Sequence, residues 1–163
     1  MPERETIERA RRDQREGKRP TTQAGEFIRE EIHHIREGKH GARSTKQAIA
    51  IGLSKARRAG VKLGPPPRSA KRKTRESAAS AARAGRRGAQ KPSGTRSRAV
   101  VEALKREPRR AASREALARQ TRQAARRRGP AERKAAARKA IATKGRTGLR
   151  AAARKAAATR RAA

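Results

Sequence analysis

Residues 43–63, RSTKQAIAIGLSKARRAGVKL, join a helix start signal, an apolar stripe, a basic face and a stop signal without a gap. Ser44 and Gln47 have the spacing of a capping box, in which the hydroxyl accepts from a first-turn N–H and the amide reaches back to the cap. A helix is therefore expected from about Thr45. Ile49, Leu53, Ala56 and Ala59 or Gly60 recur at three- and four-residue steps, while Lys46, Ala50, Ser54, Arg57 and Arg58 fall on the opposite side. One face packs; the other is wet and positive. Gly60 can take the left-handed conformation that ends a helix, so that Val61 folds back toward Ala56.

What precedes this stretch reads as its cover. Pro2, followed by Glu3, Glu5 and Glu8, suits the start of a helix running to about Glu16 and stopped by Gly17. Thr21 or Thr22 can cap a second helix to about Glu37, stopped by Gly38, with Ala24, Phe27, Ile28, Ile32 and Ile35 as its apolar stripe. The phrase REGK occurs at 15–18 and again at 36–39, each time before a new hydroxyl cap, but two copies are too few for a solenoid. The first helix offers only Ile7 and Ala10 for docking and is expected to detach easily.

Charge and apolar content divide after Leu63. Residues 1–63 hold 16 Lys/Arg against 9 Asp/Glu, a net +7, and residues 64–163 hold 32 against 5, a net +27. Large apolar side chains go the other way, so a core is expected only in the first part. The expected fold class is all-α: a small three-helix N-terminal head over residues 1–63, with helices two and three an antiparallel hairpin, followed by a largely disordered, helix-prone basic tail. Residues 64–96, opening with the prolines 65–67, read as a Pro/Gly/Ser-rich basic linker. Residues 97–163 are Ala/Arg/Lys-rich, with short helix signals at 97–107 and 113–128 and two near-copies, AAARKAIAT at 135–143 and AAARKAAAT at 151–159. No stripe waits to be buried there, and like charges at i,i+4 repel. The free tail is therefore expected to be mostly unfolded and to gain helix on binding phosphate.

A net charge of +34 and a pI of about 12 call for a polyanion. Nucleic acid is the first choice and anionic lipid the second. The chain has no cysteine, which excludes disulfides and thiolate sites, and its one aromatic residue, Phe27, cannot supply a base-stacking platform. Arginine outnumbers lysine 35 to 13, and its planar fork suits phosphate. The cations expected to touch nucleic acid are Arg43, Lys46, Lys55, Arg57, Arg58 and Lys62 on and beside the third helix. In the tail they are Arg119, Arg122, Arg126, Arg127, Arg128, Arg138, Lys139, Arg154 and Lys155. A helix-turn-helix would place Ser44, Thr45, Lys46 and Gln47 near base edges, but the connection 38–43 is longer than such motifs use, so a hairpin touching phosphates is preferred.

His33, His34 and His40, with Glu30 and Glu37 a helical turn from two of them, invite a metal reading. No H-E-x-x-H is present, and Glu30/His34 and His33/Glu37 read more simply as solvated i,i+4 pairs, so no metal site and no cofactor are expected. No nucleophile motif, P-loop or buried carboxylate pair points to catalysis, and the chain is not expected to be an enzyme. The charged N-terminus is not a secretory signal, and the longest apolar run, residues 48–53, is too short to span a bilayer. A cytoplasmic protein is expected.

The stretch 26–63, EFIREEIHHIREGKHGARSTKQAIAIGLSKARRAGVKL, resembles the signature of an uncharacterised family of short basic bacterial proteins often labelled plasmid-stabilisation or DNA-binding. The tail resembles, in composition, those of linker-histone-like nucleoid proteins. The resemblance implies a bacterial source but carries no assigned site residues. The expected function is nucleoid-associated, architectural binding of duplex DNA with little sequence preference, aiding plasmid maintenance. RNA or ribosome association is the alternative, and a membrane-active or partner-binding scaffold a further one. Self-association through the helix-two stripe is also open.

Overall fold

The structure is a computed structural model that describes residues 2–88 and 93–161. Among these the regular elements are all helical: α1 Arg4–Arg15, α2 Pro20–Glu37, α3 Thr45–Arg58, α4 Arg72–Arg86, α5 Gly94–Lys105, a 3-10 turn Arg109–Ala112, α6 Arg114–Arg127 and α7 Pro130–Arg161. The chain forms two compact units, Met1–Gln120 and Thr121–Ala163, and the division falls within α6.

Local signals set the ends of α3. Ser44 Oγ accepts from the Gln47 N–H at 3.2 Å, and Gln47 Oε1 accepts from the Arg43 N–H at 2.8 Å. Replacing Ser44 with alanine is expected to cost about 1 kcal/mol, read as a lower urea midpoint at unchanged slope. At the other end Gly60 has φ +92°, its N–H donates to Arg57 O at 3.1 Å, and the Val61 N–H returns to Ala56 O at 3.1 Å. Helix α2 starts on Pro20 rather than on a hydroxyl cap, since Arg19 makes no capping bond and proline at the first position needs no N–H partner.

Helices α2 and α3 pack in opposite directions. Phe27 and Ala24 share a cluster with Ala56, Ile28 lies against Gly52, and Ile35 and Ile32 share a second cluster with Ala48 and Ala42. A Cβ on Gly52 would sit 2.8 Å from Ile28 Cα, so the close crossing of the two backbones requires glycine there. Helix α1 buries Thr6, Ala10 and Asp13, with Ile7 against the Phe27 cluster. It is tied further by Arg9 Nε to Glu26 at 2.8 Å and by Lys18 Nζ to Asp13 at 2.8 Å.

The three-helix head with a disordered tail is not what this chain forms. First, α4 occupies residues expected as linker and packs on α3, burying Ala78 and Ala81. A Cβ on Gly85 would collide with Arg57 O, so this contact is made by backbone against small side chains. The part of the expected linker at 89–92 lies outside the described residues. Second, residues 104–112 return to the α2–α3 loop. The Gly41 N–H donates to Leu104 O at 2.8 Å, the Ala42 N–H to Pro108 O at 3.1 Å, and Arg36 Nε to Ala112 O at 2.9 Å. Ala111 and Ala112 are buried beside Ile35, and Leu117 packs on the same cluster. Third, the tail is helix, with Gly145 (φ 63°, ψ 174°) breaking α7 in two.

Propensity explains the helical tail. Twelve of the 32 residues of α7 are alanine, and Arg, Lys and Leu supply most of the rest. Pro130 begins the helix, Glu132 sits in its first turn, and Arg160 and Arg161 in its last, each favourable to the helix dipole. Repulsion of a few tenths of a kcal/mol per i,i+4 cation pair is small beside that sum. In α6, Ser113 Oγ accepts from the Ala116 N–H at 3.1 Å and Glu115 lies in the first turn.

Candidate nucleic-acid interface

The acidic residues of the first 63 are largely consumed within the fold. Eight of the nine have a cationic or histidine partner within 4.0 Å, Glu8 being the exception. Two of them, Glu30 and Glu31, are 4 % and 0 % exposed and share one partner. Lys55 Nζ lies 3.1 Å from Glu30 Oε1 and 2.8 Å from Glu31 Oε2. Burial works against the Lys55 charge, but the two carboxylates outweigh it and hold the ammonium above the ordinary lysine value of 10.5. Lys18 and Lys39 are raised too, by hydrogen bonds to Asp13 and to Glu37 and Glu3 respectively. The folded chain thus holds these protons more tightly than the unfolded one. Their stabilisation is complete below the unfolded value and fades as pH rises through the folded ones. Urea unfolding between about pH 8 and about pH 11 is expected to show stability falling only on the alkaline side of roughly 10.

This arrangement divides the cations expected to face nucleic acid. Lys55 is committed to Glu30 and Glu31, and Arg57 is buried with Nη2 donating to Gly64 O at 3.1 Å. Both serve the fold, because α3 is packed by α2 on one side and α4 on another and its wet face is narrower than a helix with one partner would have. Arg43, Lys46, Arg58 and Lys62 are exposed around that face, and Arg43 keeps a long 3.6 Å contact with Glu107. Arg119, Arg122, Arg126, Arg127, Arg128, Arg138, Lys139, Arg154 and Lys155 are all exposed on α6 and α7 or, for Arg128, just after α6. Sequence reasoning did not single out α4, whose Arg72, Lys73, Arg75, Arg83 and Arg86 are exposed opposite its alanine face.

The start of α3 is partly covered. Thr45 is 8 % exposed and its Oγ1 donates to Ala111 O at 2.7 Å, so the 3-10 turn covers the helix end that a helix-turn-helix would insert. The α2 stripe is also covered from within, since Ala24, Phe27, Ile32 and Ile35 are buried, which leaves no exposed stripe on α2 for self-association. No helix of the described residues is long and apolar enough to cross a membrane.

The histidines separate by environment. His33 is exposed and 3.3 Å from Glu37. His34 is not a solvated partner of Glu30. Its side chain is 12 % exposed, its Nε2 is 2.8 Å from Glu3 Oε1, and its Nδ1 faces the buried Glu30 at 4.0 Å. The Glu3 carboxyl is held below its ordinary range by hydrogen bonds from His34 and Lys39. His40, from the α2–α3 loop, brings its Nε2 to 3.4 Å from Glu31 Oε1.

In comparison with known proteins, a model described as a family of unknown function (DUF6496) matches residues 19–69, which span α2, α3 and the connection after α3. No curated protein and no solved structure matches the chain.

Proposed function

We propose that the chain is an architectural DNA-binding protein of the bacterial nucleoid, holding duplex phosphates with little sequence preference. One observation carries this reading. Residues 121–163 contain 15 Lys/Arg against a single acid, Glu132, and among the described residues there none of these cations forms an ion pair. Uncompensated cations on exposed helices gain by releasing the counterions condensed on a duplex. Each half of α7, about 15 residues, extends about 22 Å, a good part of one duplex turn of roughly 34 Å. Arg43, Lys46, Arg58 and Lys62 add a second group of contacts from the first unit. The covered N-terminus of α3 supports contact with backbone rather than base edges. Packing duplexes in this way is also how the chain would aid plasmid maintenance.

Competition tests the reading. With full-length protein on a labelled duplex, unlabelled duplexes of unrelated sequence are expected to displace it at concentrations within about threefold of one another, and ahead of structured RNA. Displacement by RNA at roughly a tenth of the DNA concentration would assign the chain to RNA, and displacement first by anionic vesicles would assign it to a lipid surface.

A further inference from the structure

We propose that Glu31, His34 and His40 form a binding site for a divalent transition-metal ion of the zinc class. One ligand atom from each lies within 4.8 Å of the others. Glu31 and His34 come from α2, and His40 from the loop that follows it, so the set exists only once the α2–α3 loop has closed.

One nitrogen of each histidine is engaged with a group outside the set. His40 Nδ1 is 3.0 Å from Gly41 O, and a carbonyl can only accept, so Nδ1 donates there and Nε2 is the nitrogen a metal ion would take. That nitrogen faces Glu31 Oε1 at 3.4 Å. On His34, Nε2 donates to the Glu3 carboxylate, which leaves Nδ1 as the lone-pair nitrogen. A carboxylate outside a histidine is the arrangement that orients imidazole toward a metal. Glu31 is 0 % exposed, and neither of its oxygens takes an aligned hydrogen bond although Lys55 Nζ is 2.8 Å from Oε2. A buried carboxylate with unmet lone pairs requires compensation. Lys55 supplies charge on the Oε2 side, and a cation between Oε1, His34 and His40 would supply it on the other.

Two imidazoles and one carboxylate suit zinc and its neighbours rather than magnesium or calcium, which favour all-oxygen sets. Ligand atoms around tetrahedral zinc stand about 3.3 Å apart, so side-chain rotation closing the present spacing by about an ångström or more completes the site. The bound ion would fasten His40 to α2 and with it Gly41 and Ala42, whose N–H groups hold Leu104 and Pro108.

The test uses the full-length chain stripped with a chelator and titrated with zinc ion alone. Calorimetry is expected to show a single saturable site, and far-UV melting a rise in unfolding temperature with zinc. His40→Asn and His34→Asn are each expected to weaken binding roughly tenfold or more, and His33→Asn, on the exposed side, to leave it unchanged. Cobalt ion added to the unsubstituted chain gives a readout independent of any variant's folding, the expected result being the intense visible bands of a four- or five-coordinate histidine-bound ion. The proposal is overturned by a cobalt spectrum that stays that of the hexaaquo ion, by zinc heats no larger than dilution, or by binding lost with His33 instead.

Discussion

Lys55→Met is expected to lower the unfolding free energy of the chain by about 3 kcal/mol. The substitution keeps the stem that packs between α2 and α3 and removes only the charge, leaving Glu30 and Glu31 buried with no lysine between them. Breaking a buried pair by deleting one partner costs roughly 3–5 kcal/mol, and the lower end applies because the Lys55 side chain keeps 21 % exposure. Adding Glu30→Gln and Glu31→Gln to Lys55→Met is expected to recover most of the loss, since the strandable charges are then gone. Urea unfolding of the three chains in metal-free buffer is the measurement. A loss under about 1 kcal/mol in the single variant would mean that the triad behaves as an ordinary surface pair.

Neutralising Arg122, Arg126, Arg127, Arg128, Arg138, Lys139, Arg154 and Lys155 to glutamine is expected to weaken duplex binding about a thousandfold at physiological salt. The figure follows if half of the eight reach phosphate at once, each contact being worth somewhat less than a factor of ten at that ionic strength. Arginine and glutamine have similar helix propensity, so α6 and α7 should persist and far-UV circular dichroism should change little. The matched control is Lys55→Met and Arg57→Gln, two cations engaged inside the fold. Where that chain remains folded it should bind duplex within about threefold of the parent. Equal losses in the two chains would remove the distinction drawn between structural and surface cations.

Much of the first unit is legible in local sequence because its signals are local. Gly17, Gly38 and Gly60 all have positive φ, and Ser44 with Gln47 caps α3 as their spacing implies. Helix α4 escapes such a reading because its packed face is Ala78, Ala81, Ala82 and Gly85, of which Ala78 and Ala81 are buried, a stripe at helical spacing made of residues too small to register as apolar. The return of residues 104–112 escapes it for another reason. Thr45 and Ala111 are 66 positions apart, and nothing near either one announces the bond. In the tail, alanine propensity outweighs the repulsion between like charges, which composition alone does not decide. Lys55 and Arg57 read from the sequence as cations free to meet nucleic acid, but Lys55 pairs with Glu30 and Glu31 of α2, and α4 packs against α3 beside Arg57. Glu31 and His40 meet only through closure of the α2–α3 loop, which spacing along a helix does not show.

On the proposed function, phosphate neutralisation by the exposed cations of α6 and α7 drives binding. The salt dependence of duplex affinity measures it most directly. The full-length chain is expected to give a slope of log affinity against log salt between about −5 and −9, as for 6–10 contacts, and the eight-cation variant a slope shallower by about 3 to 4. An unchanged slope in that variant, or a parent affinity indifferent to salt, would contradict the account.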